Sequence, residues 1–478
     1  MEQNIGRYRW KICSLVFFAT TINYLDRQVL SLTWSDFIAP EFHWTNNDYG
    51  NITALFSIFY AVSLLFAGRL VDILDTKKGF LWAIGVWSIG ACLHAFAGIA
   101  TSGILTGNWF VGFEGAKNAI KAVNDTGMVI STSVTLFIFA RFVLAVGEAG
   151  NFPAAIKTTA EYFPKKDRAF STSIFNSGAT VGALAAPITI PFIAKAFGWE
   201  MAFIIIGALG FVWMGFWVLL YDKPENHPMV SPEELEYIQQ DVIADSKLVG
   251  YVAETATKVS LKDCFRYKQT WAFAFGKFMT DGVWWFFLFW TPAYLSSVYD
   301  MDATEAALPL FVLYMITLLS IIGGWLPTYF VEKKGMNPYD GRMKAMLIFA
   351  FFPLLALVAQ PLGHYTYWLP VIIIGIAGAA HQSWSANIFT TVGDMFPKKA
   401  IATVTGIGGL AGGLGSTLIN KGSGVLFDYT KETNMAFMGF EGIEAGYFII
   451  FSICAVCYLI GWSVMKTLVP KYSPITDL

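Results

Sequence analysis

Twelve apolar runs, each long enough to cross a bilayer, divide the chain and leave few folds open to it. A spanning helix needs about 20 residues, because in hydrocarbon every backbone N–H and C=O must be bonded within the segment. The run cores lie at 11–36, 50–72, 79–100, 129–153, 168–194, 200–221, 270–296, 306–331, 343–360, 364–393, 398–427 and 441–467. Charged residues are 14% of the 478, and they cluster between the runs. A soluble domain carries about 25%. The pattern predicts an all-α membrane protein of twelve transmembrane helices. The first run reads as a span rather than a cleaved signal peptide, since Asp26 and Arg27 interrupt it and no small-residue cleavage site follows.

Several function classes are disfavoured at once. The net charge of −2 suggests no nucleic-acid partner. Four of the five cysteines lie in apolar runs and Cys264 in a basic loop, so no disulfide framework is expected. Cys454 and Cys457, one turn apart, read as small core residues. There is no Gly-Lys-Ser/Thr phosphate loop, no metal-ligand spacing and no nucleophile elbow. The expectation is a protein that is not an enzyme, uses no ATP and needs no cofactor or metal.

Basic residues orient the chain. With the N-terminus in the cytoplasm, the outer loops hold five of the 32 Lys and Arg: Lys117, Lys121, Lys195, Lys421 and Lys431. Four lie within or at the edge of spans (Arg27, Arg69, Arg141, Lys277), and the other 23 fall on the cytoplasmic side. Both termini are therefore expected inside, in the inner (plasma) membrane. The loop 222–268 is the longest inner one, and Ser231-Pro232-Glu233-Glu234 in it marks a helix start.

Internal repeats set the architecture. Phe163-Pro164-Lys165-Lys166 recurs as Phe396-Pro397-Lys398-Lys399, an offset of 233 that also relates Gly182 to Gly415. Gly68, Leu70 and Lys77-Lys78-Gly79 recur as Gly324, Leu326 and Lys333-Lys334-Gly335, an offset of 256. Both halves thus share one six-span topology, as in parallel transporter repeats. The expected division is 1–221, a linker 222–268, and 269–478. The offsets differ by 256 − 233 = 23 residues, and the polar stretch 101–128 is the place for that excess, as an outer insert.

Charged groups inside spans are costly unless paired or hydrated, so each is a functional candidate. Arg27 can hold a carboxylate in a bidentate fork. Glu148, among Val146, Phe152 and glycines, is placed to accept a proton. Arg141 lies two turns before it on the same face. The bland reading is two structural salt bridges, Asp26 with one arginine and Glu148 with the other. Glu148 plus 233 is His381, which the repeat expects across the cavity at similar depth. Gln382, Asn387, Asn176, Tyr24 and Tyr60 are candidate hydrogen-bonding readers. Trp285 and Phe289, one turn apart, can stack on a ring or merely pack helices. Lys277 and Asp281, spaced i, i+4, are expected as a gating pair near the inner end of span seven. Asp72, at the inner end of span two, is a further gating candidate.

Gly68-Arg69-Leu70-Val71-Asp72 with Lys77-Lys78-Gly79 resembles the loop between helices two and three of the major facilitator superfamily. Asn23-Tyr24-Leu25-Asp26-Arg27, Gly147-Glu148-Ala149-Gly150 after Arg141, and Phe175-Asn176-Ser177-Gly178 resemble the anion:cation symporter family within it. Trp284 to Trp290 and Ala380 to Asn387 are similar to its hexuronate transporter branch. The insert departs from that family's compact pattern. The resemblance implies that the span-one arginine binds the substrate carboxylate and that the acids of spans one and four carry protons. It implies proton-coupled import of a sugar-acid anion such as D-glucuronate or D-galacturonate. The alternatives are an aldonate or aromatic-acid symporter on the same scaffold, a non-transporting sugar-acid receptor, and a membrane enzyme, for which the chain has no catalytic constellation.

Overall fold

The computed structural model describes residues 6–247 and 260–476. Twelve long helices follow the twelve runs. The first half holds α1 (Tyr8–Thr33), α2 (Asn46–Leu74), α3 (Thr76–Ala95), α4 (Thr126–Glu148), α5 (Lys165–Phe197) and α6 (Trp199–Leu220). The second holds α7 (Lys268–Tyr299), α8 (Ala307–Thr317, running on through Ile322–Lys334), α9 (Pro338–Phe351, ending in Ala359–Gly363), α10 (Trp368–Met395), α11 (Lys398–Glu432) and α12 (Ile443–Leu468). Two two-residue strands, Ala436–Phe437 and Phe440–Glu441, pair antiparallel between α11 and α12. α4 outruns its apolar core: after a break at Ala149-Gly150 it continues as Asn151–Tyr162, carrying Lys157 and Glu161.

Eight helices of the described residues are long and apolar enough to cross a membrane, nine if α3 is joined across a 53° bend to Ala97–Thr106. The other three, α1, α7 and α11, have 26, 32 and 35 residues and are long enough. They are too polar rather than too short, and they meet in the middle of the molecule.

Side-chain caps set the helix ends. α2 begins with a capping box in which Thr45 accepts from the Asp48 amide and Asp48 from that of Thr45. α1 is capped from the linker: Glu234 of the helix Pro232–Lys247 accepts from the Tyr8 and Arg9 amides at 3.1 and 3.0 Å and pairs with the Arg9 guanidinium at 3.1 Å. An acid at a helix N-terminus also meets the positive end of its dipole.

Glycines carry the repeat into three dimensions. Gly182 of α5 sits so close to Thr21 and Tyr24 of α1 that a Cβ would collide with them, and Gly415 of α11 sits likewise on Phe278 of α7. The two glycines hold matching crossings, and Thr21 corresponds to Phe278.

The insert lies at the end of the bundle opposite the linker. It contains the second limb of α3 and the helix Gly112–Lys121. Lys117 pairs there with the buried Glu200 at the start of α6 at 3.1 Å. Next to it Glu41, beyond the end of α1, accepts from the Trp199 indole at 2.8 Å. Burial pushes the Glu41 carboxyl up to about 7, with Trp199 and Lys117 opposing and Glu200 adding to the rise. An acid raised on folding binds more protons folded than unfolded. Stability is therefore gained as pH falls from about 7 toward 4.5, and lost in the other direction. The thermal midpoint should rise by about 2–4 °C between pH 7.5 and 5.5, and Glu41→Gln should flatten that rise in a melting series. An unchanged slope in the variant would assign the dependence to another group.

Candidate functional site

The site is built where α1, α2, α4 and α7 converge. The Arg27 Nε and Nη2 donate to one oxygen of Glu148, at 2.9 and 2.7 Å. Both side chains are buried. Three rings lie about the guanidinium: Tyr60 at 4.7 Å, Tyr24 at 5.0 Å and Trp285 at 5.2 Å. Trp285 belongs to the second half, so the cage closes across the seam between halves. Each cation–π contact adds about 0.5–2 kcal/mol, more when desolvated. Trp285 also packs on Phe289 at 5.2 Å and on Phe56 at 5.8 Å.

Local sequence places Glu148. Gly147 and Gly150 let α4 press onto Ala83 and Trp87 of α3, where a Cβ at Gly147 would strike the Trp87 amide. Gly90 does the same against Leu144. α4 stops at Glu148, and the helix resumes at Asn151. The carboxylate is thus carried at a break on a rigidly seated helix.

Of the two salt bridges of the bland reading, one is present among the described residues. Glu148 takes Arg27. Asp26 is 1% exposed and has no salt-bridge partner among the described residues; the Trp87 indole and Arg141 are the groups that face it. Arg141 is equally buried, with Nε and Nη1 unpartnered and the guanidinium 5.1 Å from the Phe56 ring. Unpaired buried charge is destabilising by several kcal/mol, so this acid and this arginine mark a tension beside the site. Phe56 was not singled out from the sequence. Its i, i+4 spacing to Tyr60 was the available signal.

The second-half candidates divide. Lys277 Nζ pairs with Asp281 at 2.8 Å and lies 4.1 Å from the Phe389 ring. Lys277 lies nine residues and Asp281 thirteen into the 32-residue α7, in the half of the helix that adjoins the linker. The His381 Nδ1 is bonded to the Tyr458 hydroxyl at 2.8 Å, and its ring stacks on Trp284 at 5.4 Å. Asn387 donates to the carbonyls of Gly323 and Ser383 at 2.9 and 2.8 Å, tying α10 to α8 instead of standing free as a reader. Gln382 is half-buried and Asn176 exposed. The Asp72 side chain lies outside the described residues.

Above the site, toward the insert, the halves are latched. Asp428 of α11 caps α2, accepting from the Asn46 and Asn47 amides at 2.9 and 2.7 Å. Lys421 reaches Asn51 at 2.6 Å. Asp36 accepts from the Ala303 amide at 2.6 Å, Lys195 pairs with Asp302 at 3.0 Å, and the Tyr49 hydroxyl donates to the Phe289 carbonyl at 2.8 Å. At the linker end, the ion pairs of the described residues stay within one half or join it to the linker, as in Lys77–Asp222 and Arg342–Asp394.

A charged site buried between two pseudo-symmetric six-helix bundles, latched at one end, defines a multi-pass membrane transporter and not an enzyme. The chain belongs to the Major Facilitator Superfamily, whose family model matches residues 16–419. It is 28% identical to the hexuronate transporter of Escherichia coli (strain K12) over 97% of this chain and 95% of that one. It is 25% identical to the probable galactarate/D-glucarate transporter GarP of the same organism, over 94% of each. A solved structure of a bacterial homologue of the human lysosomal transporter Spinster, inward-facing and unoccupied, superposes with a TM-score of 0.69 at 17% identity, covering 98% and 100%. That likeness shows the fold.

Proposed function

We propose that the protein imports a sugar-acid anion together with protons by alternating access, with a hexuronate such as D-glucuronate or D-galacturonate as substrate. The observation that carries this reading is the Arg27–Glu148 pair inside an aromatic cage at the seam between halves. An arginine held by a carboxylate is poised for exchange. When Glu148 takes a proton, Arg27 loses its partner and accepts the substrate carboxylate as a two-pronged fork. Trp285, Tyr24 and Tyr60 then meet the apolar face of the sugar, while Gln382 and Asn176 are available to its hydroxyls. His381 and Phe289 back this wall, and Asn387 fixes α10 behind it. The proton offsets the anion's charge during transfer. Asp26, with Arg141 near it in charge balance, is the second proton site. The names of the relatives support a sugar acid. An aldonate or aromatic acid on the same scaffold is the alternative among transporters.

In this reading the two bundles are residues 1–221 and 269–478, joined by a cytoplasmic linker 222–268. Both termini face the cytoplasm of the inner membrane, and the latched insert end is the outer one. The contacts that join the halves at the insert end support an inward-facing state. Uptake of labelled hexuronates and aldonates into proteoliposomes under an imposed pH gradient tests the function. Accumulation of D-glucuronate or D-galacturonate above equilibrium is expected, and equal indifference to every sugar acid would refute it. In the same work on cells, a cysteine within 101–128 should react with an impermeant thiol reagent from outside and one within 231–240 only after permeabilisation. The reverse would overturn the orientation.

A further inference from the structure

Arg27 holds Glu148 by one oxygen only, giving both of its bonds to Oε2. The other oxygen, Oε1, is buried and has no hydrogen-bond partner among the described residues. A proton that arrives while Arg27 is still in place therefore lands on Oε1. It turns that acceptor into a donor, and a buried donor needs an acceptor of its own.

Asn151 stands where that acceptor is needed. Ala149 and Gly150 keep right-handed helical dihedrals through the break (φ −60°, ψ −24° and φ −77°, ψ −16°), so Glu148 and Asn151 remain i, i+3 neighbours on one face. Both meet α1 on a single stripe. Glu148 touches Arg27, and Asn151 touches Thr20, seven residues or nearly two full turns before it. The Asn151 Nδ2 lies 3.3 Å from the Thr20 hydroxyl. That hydroxyl spends its own proton on the Val16 carbonyl at 3.1 Å, so from Asn151 it can only accept. The amide is thereby oriented, with Nδ2 on Thr20 and Oδ1 left over. Oδ1 too is buried and without a partner among the described residues. Thr20, Glu148 and Asn151 are all fully buried. The titratable and charged groups facing Glu148 are Arg27, Asp26 and Tyr24 of α1 and Arg141 of α4, with Tyr60 of α2 beyond the guanidinium. Asp26, the other carboxylate, is turned about 100° round α1 from Arg27, toward the Trp87 indole and Arg141.

We propose that Asn151 is a positioning residue for the coupled proton: its Oδ1 accepts from the Oε1–H of protonated Glu148 and holds that carboxyl while Arg27 takes the substrate. The inference rests on the proton-coupled reading and adds a residue to its site. The proton comes from water on the side to which the site is open and returns to water on the other, and the O–H is the one bond made and broken. The amide discriminates between the two forms of the acid. Facing a carboxylate oxygen, Oδ1 is one acceptor against another and gains nothing. Facing the protonated acid, it completes a hydrogen bond. Asn151 thus favours the form of Glu148 that has let go of Arg27.

Infrared difference titration of the purified full-length transporter in lipid reads the carboxyl directly, the Glu148 band being the one lost in Glu148→Gln. Asn151→Leu keeps the volume and removes the acceptor, and the protonation midpoint should fall by about one pH unit. Binding of D-glucuronate, by calorimetry, should weaken about tenfold at neutral pH, with the deficit closing as pH falls. Thr20→Val keeps the shape of its side chain and frees the amide to turn. It should move the midpoint the same way by less, and it decides the matter if Asn151→Leu does not fold. An unchanged midpoint in Asn151→Leu, or in Thr20→Val where that variant alone folds, would make Asn151 a structural strut and leave proton coupling at Glu148 standing. An affinity loss equal at every pH would do the same. A wild type with no Glu148 band between about pH 4 and 9 overturns the proton-coupled reading and this inference with it.

Discussion

Glu148→Gln transporter is expected to exchange labelled substrate across a liposome membrane at near wild-type extent, yet to build no gradient when pH is imposed. The amide has the volume of the protonated acid and no charge, so Arg27 is released permanently from its 2.7 Å partner. Binding survives, and the linkage between proton and substrate is lost. That linkage is reciprocal: whatever protonation of Glu148 adds to substrate affinity, substrate adds to proton affinity. One pH unit supplies 1.36 kcal/mol per coupled proton, about tenfold accumulation. The variant should fall from that ratio to about one. Counterflow and pH-driven uptake on the same liposomes separate the two effects. Full accumulation by Glu148→Gln removes Glu148 from the coupling, and the same result for Asp26→Asn would leave a uniporter as the better description.

Arg27→Lys should weaken binding by about 10- to 100-fold, judged from the 1.5–3 kcal/mol typical of a hydrogen bond to a charged group. The charge is kept. What goes is the planar fork, which matches a carboxylate with two parallel bonds, and the flat cation that three rings enclose. An ammonium in the same cage is a compact, strongly hydrated point. Titration calorimetry with D-glucuronate reads the loss directly, and wild-type affinity in the variant would refute the anion site.

Span count and repeat were legible because they depend on hydrophobic length and on short motifs recurring at a fixed offset. The 11–36 core is continued by the turn Trp34–Ile38, and the helix Gly112–Lys121 within 101–128 was not anticipated from the sequence. Pairing was less legible. Sequence put Asp26 beside Arg27 and Glu148 on the face of Arg141, whereas the contact made is Arg27 with Glu148, 121 residues apart. Nothing local encodes it. It follows from the angle at which α4, seated on α3 by Gly147 and Gly150, presents its last residue. The partners of His381 and Asn387, Tyr458 and the Gly323 carbonyl, lie on other helices and were not legible in the sequence. The latch of Asp428 and Lys421 at the insert end was missed for the same reason, with Asn46, Asn47 and Asn51 nearly four hundred positions away in the chain.

The polarity of α1 bears on how the protein is made. A charged residue at the middle of a helix costs about 2.5–3.5 kcal/mol to insert, and α1 carries two in succession, Asp26 and Arg27. It is synthesised before the other eleven spans of this sequence. The carboxylate that neutralises Arg27 is synthesised only when α4 emerges. Until then the first helix is a poor resident of the bilayer, and its stable residence begins with the fourth. Membrane residence of the first helix is thereby tied to arrival of the fourth, and in the proposed cycle the contact that joins them is also the one opened on each turnover.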